Sequence, residues 1–130
     1  MGLRVGIDLV SVAAVADSIE EHGERYLKRV YTEAELSDCQ GEGGPNAERL
    51  AARFAAKEAA LKVLRPADEA IPFSAIEVVR DRAGWVALEL SDRALSAADS
   101  QGLKGFAVSI SHEGAYATAV VTAEEAVRET

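Results

Sequence analysis

The chain has 130 residues, with 22 acidic and 14 basic side chains and a formal net charge of −8. This length fits one domain, 1–130, with a core of its own, and the negative charge disfavours a nucleic-acid backbone or an anionic membrane as the main partner. The single Cys39 excludes an internal disulfide and a thiolate zinc site, and the absence of a secretion signal or a membrane-length apolar stretch predicts a cytoplasmic protein.

The first half of the chain predicts a strand followed by helices. Residues 3–10 are rich in β-branched and apolar side chains, and Ser11 after them is a residue type that favours the N-cap of a helix. Thr32 and Glu35 have the spacing of a capping box. The predicted elements are a strand over 3–10, a helix from Ser11 to near Gly23, a short turn over 26–30, a short helix opened by 32–35 and a loop over 40–45.

The second half predicts a long helix and then two hairpins with a helix between them. The long helix is rich in alanine and ends before Pro66, which cannot continue it. The predicted elements are a helix over 46–65, strands over 76–81 and 85–90, a helix over 91–101 and strands over 106–111 and 116–122. Helices set among hairpins favour an α+β fold around a mostly antiparallel sheet.

Charged side chains of the long helix fall on or beside its apolar face. With successive residues about 100° apart, Lys57 lies inside this face, while Glu58 and Lys62 lie along its edge. Three charges gathered there predict a cleft floor or a subunit seam. A surface ion pair between Glu58 and Lys62 is the alternative, because the acid precedes the base by four residues. The apolar face consists of Leu50, Phe54, Leu61 and Leu64.

Two carboxylates and a histidine are the candidate chemical groups. Asp8 lies in an apolar run, where a carboxylate is costly unless it is paired or binds a cation. Together with Glu58 it would suit Mg²⁺, which keeps several waters and takes phosphate oxygens from a substrate. His112, with the hydroxyls of Ser109 and Ser111, could bind a phosphate. The alternatives are that Asp8 faces solvent or caps the following helix, and that His112 is structural.

Some enzyme classes are disfavoured by the same residues. Ser111 adjoins His112, so the two would project to opposite faces of a regular strand, which disfavours a serine hydrolase. The chain has no G-x-S-x-G turn, no Walker motif and no dinucleotide glycine fingerprint. A small Mg²⁺ phosphohydrolase stays open, although Glu58 is then the one residue available to activate water.

Three segments resemble the motifs of a known enzyme family. They are VGIDLV at 5–10, RFAAKEA at 53–59 and VSISH at 108–112. In this order they are similar to the motifs of the holo-acyl-carrier-protein synthase group of 4′-phosphopantetheinyl transferases, and the similarity covers nearly the whole chain. The resemblance implies an α+β fold with a mostly antiparallel sheet wrapped on a long central helix. It also implies a homotrimer with active sites between subunits.

The resemblance implies transfer of the phosphopantetheine arm of coenzyme A to a serine of an acyl carrier protein, with release of adenosine 3′,5′-bisphosphate. Asp8 and Glu58 are expected to hold Mg²⁺ against the pyrophosphate of coenzyme A, and Lys62 to meet a phosphate oxygen. Glu58, or a metal-bound water that it holds, is expected to accept the serine proton. His112 and Arg53 are expected to hold the nucleotide end.

Two segments depart from the family pattern. The family's central helix typically runs into a glycine-bearing loop beside the phosphates, whereas residues 64–69 contain no glycine and two acids, which leaves Arg65 as the expected phosphate contact. The first helix usually offers basic residues to an acidic carrier protein, but here it is acidic. Basic residues that could meet the carrier stand only at its far end: Arg25, Lys28 and Arg29.

Two questions stay open at this point. The carrier could belong to fatty-acid synthesis or to a polyketide or peptide pathway. The altered loop also leaves room for a non-catalytic module of the same fold that binds coenzyme A or a carrier protein.

Overall fold

A computed structural model describes residues 2–67 and 69–127. In chain order the elements are β1 (Gly2–Ser11), α1 (Val12–His22), α2 (Glu24–Val30), α3 (Glu33–Asp38), β2 (Gln40–Gly41), β3 (Gly44–Pro45), α4 (Ala47–Leu64), a 3₁₀ turn (Phe73–Ala75), β4 (Ile76–Arg80), β5 (Val86–Leu90), α5 (Asp92–Ser100), β6 (Leu103–Glu113) and β7 (Tyr116–Glu125). None of the helices in these ranges is long and apolar enough to cross a membrane.

A three-stranded antiparallel sheet, in the order β1–β7–β6, packs one face on α4. Alternate residues of β7 are buried on this face, and β4 and β5 form a separate antiparallel hairpin. The predicted α+β fold, with a mostly antiparallel sheet on a long central helix, is confirmed. The buried residues of β7 are Ala117, Ala119, Val121 and Ala123.

The structure differs from the predicted elements mainly at their ends. The predicted loop over 40–45 contains the short β2–β3 pairing, and β6 and β7 extend beyond the predicted strands. Gly23, with φ 53°, separates α1 from α2, so the segment predicted as a turn is a helix of 7 residues. Apolar periodicity identifies such elements better than it identifies their ends.

The long helix α4 is buried on most of its sides. Leu50 and Leu64 are fully buried, as predicted, but Phe54 and Leu61 are only half-buried. Small side chains fill most of the remaining surface and allow the neighbouring strands to approach. The prediction of a single apolar face is therefore too narrow. The buried alanines are Ala51, Ala52, Ala55, Ala56, Ala59 and Ala60.

Lys57 lies inside the protein, away from solvent. Its ammonium stands 2.7 Å from the carboxylate of Glu35 on α3, and both side chains are fully buried. The ammonium also donates to the carbonyls of Phe73 and Ile76, at 2.9 and 2.6 Å. Burial lowers the pKa of Lys57, and the Glu35 carboxylate opposes that change. The prediction that Lys57 marks a cleft floor or subunit seam is wrong, because its partner belongs to the same chain.

Glu35 has a second role at the start of α3. It accepts from the amide of Thr32 at 2.9 Å, while Thr32 accepts from the amide of Glu35, so the predicted capping box is confirmed. The other carboxylate oxygen accepts from the amide of Val78 in β4, also at 2.9 Å. The buried pair Glu35–Lys57 thus joins α3, α4 and β4 with every strong polar group satisfied.

Replacing Lys57 with methionine should destabilise the fold. We expect a loss of about 3–5 kcal/mol in the free energy of unfolding, because Glu35 would keep a buried charge without its partner. Urea unfolding monitored by circular dichroism measures the change. Lys28→Met is the matched control: its ion pair with Glu24 is exposed, and we expect a change of about 0.5 kcal/mol or less. Equal losses in both variants would contradict this account.

Candidate active site

Strand β1 presents two different faces. Its odd-numbered apolar residues are exposed, whereas Gly6 and Asp8 face α4. A Cβ atom on Gly6 would stand 2.2 Å from the carbonyl oxygen of Ala59, which means that the strand touches the helix backbone at this point. The Thr118 hydroxyl of β7 donates to the carbonyl of Asp8 at 2.8 Å. Asp8 is therefore held against α4 rather than turned to solvent.

Asp8 meets two charged residues of α4. Lys62 donates to the carbonyl of Ile7 at 2.7 Å and lies 3.4 Å from Asp8 Oδ1. Glu58 stands one helical turn before Lys62. Burial raises the pKa of Glu58, the nearby Asp8 carboxylate raises it further, and Lys62 lowers it. We call Asp8, Glu58 and Lys62 the carboxylate site.

The donors of the carboxylate site are suited to Mg²⁺. The described ranges 2–67 and 69–127 hold no cluster of three or more His, Cys, Asp or Glu side chains that could hold a metal ion. The Asp8 carboxylate contributes to the raised pKa of Glu58, so a cation shared by the two residues would offset their repulsion. Magnesium needs few protein ligands, because it keeps waters and takes oxygens from a bound phosphate. The residues Asp8 and Glu58 fit that ion.

A second group of site residues surrounds a cavity of about 610 Å³ beside the first half of α4. Its lining comes from α4, from the β4–β5 hairpin and from β6, and it contains both Arg53 and His112. None of the lining residues in the described part of the chain is acidic. We call it the arginine cavity. Its side chains include Arg49, Arg53, Arg80, Trp85, Ser109 and His112.

Arg53 is buried without a full set of partners. Its side chain is 1% exposed, and in the described part of the chain its Nη1 donates only to the carbonyl of Arg49, at a long 3.5 Å. Within the described residues, Nε and Nη2 have no hydrogen-bond acceptor. A buried guanidinium in this state costs free energy, and an anion in the adjoining cavity would supply the missing acceptors.

His112 lies at the edge of the arginine cavity. Its Nδ1 is 3.0 Å from Glu48 Oε2, and both side chains are about half exposed. The adjacent Ser111 lines a separate, smaller cavity of about 300 Å³, which His112 also borders. The structure therefore brings Arg53 and His112 together, while Ser111 faces the neighbouring depression.

The remaining predicted residues lie elsewhere. Arg65 caps α4 in the left-handed conformation, with φ 48°, and lines a third cavity together with Arg93. The basic residues expected at the far end of the first helix stand instead on α2, because Gly23 ends α1. All three are exposed, and Lys28 forms an ion pair with Glu24 at 3.0 Å. They are Arg25, Lys28 and Arg29.

Three residues of the arginine cavity were not anticipated from the sequence. Arg49 lies one helical turn before Arg53, so helical periodicity alone could have revealed it. Arg80 ends β4, and Trp85 stands in the turn between β4 and β5. No local pattern connects that hairpin with α4, so these two residues required the fold.

Comparison with known proteins identifies the family of the chain. The family model described as the 4′-phosphopantetheinyl transferase superfamily matches residues 4–121. The holo-[acyl-carrier-protein] synthase of Halothermothrix orenii is 40% identical over 121 residues, which cover 93% of this chain and 96% of the relative. The solved structure of the Chronobacterium ammoniagenes ACPS–CoA complex has a TM-score of 0.85 at 32% identity and covers 98% of this chain and 100% of that chain.

A second solved structure, that of Helicobacter pylori holo-[acyl-carrier-protein] synthase in complex with coenzyme A, has a TM-score of 0.80 at 25% identity. It covers 93% of this chain and 100% of that chain. The chain belongs to the 4′-phosphopantetheinyl transferase superfamily, as its three motifs predict. Within that superfamily it is an enzyme of the holo-[acyl-carrier-protein] synthase type.

Replacing Gly6 with alanine should disturb the carboxylate site. The new Cβ would collide with the carbonyl of Ala59, so β1 must move away from α4 and carry Asp8 with it. We expect a loss of about 1–3 kcal/mol in the free energy of unfolding, together with reduced transferase activity. Gly43→Ala is the control, since a Cβ there meets nothing within 4 Å. A Gly6→Ala variant as stable and as active as Gly43→Ala would contradict the close contact.

Proposed function

We propose that the chain forms one transferase domain, 1–130, that acts in the cytoplasm. It moves the 4′-phosphopantetheine arm of coenzyme A to a serine of an acyl carrier protein or carrier domain, depends on Mg²⁺ and releases adenosine 3′,5′-bisphosphate. The observation that carries this proposal is the carboxylate site, where two carboxylates from β1 and α4 stand beside an ammonium. Similar structures that hold coenzyme A support the same substrate here.

Asp8 and Glu58 are the residues that would hold Mg²⁺. When bound, the ion neutralises negative charge on the pyrophosphate of coenzyme A. Lys62 supplies a further positive charge on the same side, and its contact with the Ile7 carbonyl fixes its position. Phosphoryl transfer depends mainly on such positioning and charge neutralisation, and little on covalent chemistry by the protein.

The proposed reaction needs one proton acceptor. The serine oxygen forms a bond to the phosphorus that bears the pantetheine arm, and the bond from that phosphorus to the bridging oxygen of the pyrophosphate breaks. Adenosine 3′,5′-bisphosphate leaves with the bridging oxygen. Glu58 is the proposed acceptor of the serine proton, because it is half-buried at the carboxylate site.

The arginine cavity is the proposed site for the nucleotide end of coenzyme A. Arg53 offers two guanidinium donors that lack acceptors among the described residues, and a phosphate can accept from both. His112 stands at the rim, with Ser111 on the neighbouring surface. Arg65, at the end of α4, is the proposed replacement for a glycine-bearing phosphate loop.

We further propose a homotrimer. Glu58 and Arg53 are five residues apart on α4 and so point about 140° apart, which separates the carboxylate site from the arginine cavity. A coenzyme A molecule bound between two copies would reach the carboxylate site of one copy and the arginine cavity of the other. The sheet face opposite α4 also exposes an apolar row on β1 that a neighbouring copy could cover through contacts that close into a ring. The row consists of Leu3, Val5, Ile7 and Leu9, which are 59–71% exposed.

The carrier surface is proposed to involve α2. Arg25 and Arg29 are exposed there, whereas Lys28 is engaged by Glu24. The preceding α1 carries Glu20 and Glu21, which repel an acidic carrier. We infer that this enzyme serves a weakly acidic carrier, or one tethered within a larger synthase, where effective concentration replaces electrostatic steering.

Replacing Glu58 with glutamine should remove the transfer reaction. The amide is nearly isosteric, so we expect an unchanged melting temperature, and a rate reduced at least ~100-fold because the charge that binds metal and accepts the proton is lost. Mass spectrometry of several apo carrier proteins, incubated with coenzyme A and Mg²⁺, measures the transfer.

Glu42→Gln is the control, because Glu42 is exposed in the β2–β3 turn. Near-normal turnover by Glu58→Gln would contradict the proposed role of Glu58 in metal binding and proton acceptance. A wild-type protein that binds coenzyme A but modifies no carrier would favour the non-catalytic module instead, and hydrolysis of a phosphate ester without transfer would favour the phosphohydrolase.

A charge in the apolar row of β1 should break the proposed trimer. We expect the wild type to have the mass of three chains in solution, and Ile7→Glu to have the mass of one chain and little transferase activity. Leu95→Glu is the control on α5, where a 46% exposed side chain lies away from the row. Light scattering at micromolar concentration measures the mass. An active wild-type monomer would contradict the proposal.

A further inference from the structure

The turn between β4 and β5 holds the only tryptophan of the chain in an exposed position. Trp85 is 76% exposed and forms part of the lining of the arginine cavity. Covering a large exposed aromatic side chain with a flat partner lowers the free energy of the system. None of the roles proposed above uses this residue.

The backbone around Trp85 is held rigidly. Asp81 Oδ1 accepts from the amides of Ala83 and Trp85, at 2.9 and 3.0 Å. The amide of Asp81 donates to the carbonyl of Trp85 at 2.9 Å, and the amide of Gly84 donates to the carbonyl of Asp81 at 3.1 Å. Gly84 has a φ of 94°, which side chains other than glycine rarely adopt. The indole thus extends from a fixed backbone, so little conformational freedom is lost when a ligand covers it.

The other charged residues of the cavity favour an anionic ligand. Arg49, Arg53 and Arg80 contribute three guanidinium groups, and Arg53 is the buried one whose Nε and Nη2 have no acceptor among the described residues. Val86 and Val108 contribute apolar side chains to the same lining. A ligand that satisfies the whole lining therefore has two parts, a phosphate for the arginines and a flat ring for the indole.

We propose that Trp85 is a specificity-determining residue that stacks on the base of the nucleotide end of coenzyme A while the arginines bind its phosphate. This inference rests on the proposed function for the identity of the ligand. It adds that the enzyme recognises the purine ring, which takes no part in the reaction, through one side chain of the β4–β5 turn. The pantetheine arm has no ring that could stack, so Trp85 does not recognise it.

The first test uses the fluorescence of Trp85, which needs no label because the chain has no other tryptophan. Titration of the wild-type protein with adenosine 3′,5′-bisphosphate should quench the emission and saturate. The same titration with 4′-phosphopantetheine should leave the emission unchanged. Saturating calorimetric binding of the bisphosphate without any change in emission would overturn the proposal.

The second test separates stacking from a structural effect. Trp85→Leu keeps an apolar side chain but removes the ring, and its exposed position makes a folding defect unexpected. By calorimetry, adenosine 3′,5′-bisphosphate should bind this variant about tenfold more weakly than the wild type, whereas base-free ribose 3,5-bisphosphate should bind both equally. Trp85→Phe should recover most of the affinity. Equal weakening for both ligands would show that Trp85 shapes the cavity and would overturn stacking.

Turnover distinguishes this inference from the proposed function. Trp85→Leu should raise KM for coenzyme A about tenfold and change kcat less than threefold, because the base is remote from the transferred phosphoryl group. Wild-type transfer with a KM that is the same in Trp85→Leu would refute only the role of Trp85. Nucleotide binding that depends on Trp85, with no transfer to any carrier, would refute the transferase function but not the stacking of the base on Trp85.

Discussion

Strand β1 can lie against α4 only because the two surfaces meet through side chains of almost no volume. Gly6 stands over the backbone of Ala59, and alanines fill much of the surrounding surface. Asp8 belongs to the strand, and Glu58 and Lys62 belong to the helix, so the spacing of the two elements sets the spacing of the charges. The carboxylate site is therefore a product of backbone packing at a position that itself carries no chemistry.

The buried pair Glu35–Lys57 controls the other degree of freedom, which is the rotation of α4 about its axis. Lys57 and Glu58 are neighbours on the helix and point about 100° apart. Anchoring Lys57 to α3 and β4 thus determines the direction in which Glu58 points. A buried ion pair adds little net stability compared with an apolar replacement, but it penalises every arrangement in which its partners are separated. In this fold, that penalty selects one orientation of the helix.

The sequence was sufficient for the order of most elements, because short-range signals carry it, whereas Asp8, Glu58 and Lys62 were grouped by their residue types and by the resemblance to known family motifs. The capping box at Thr32 and the motif around Glu58 are local patterns, and the structure contains the first as predicted. Lys57 was misjudged because its partner Glu35 lies on another helix, and helical periodicity says nothing about contacts between elements. Arg80 and Trp85 were missed for the same reason, since only the docking of the β4–β5 hairpin brings them to α4.

Lys62 illustrates what such packing means for a ligand. A free lysine side chain has about 2 kcal/mol of rotamer entropy to lose when it is immobilised. Here the contact with the Ile7 carbonyl at 2.7 Å already holds the ammonium in place, although the side chain is 55% exposed. Part of that loss is therefore incurred when the chain folds and not when a phosphate arrives. The strand carbonyl leaves the other two ammonium protons for Asp8 and for the proposed phosphate oxygen, so that ligand would meet a cation whose position is already set.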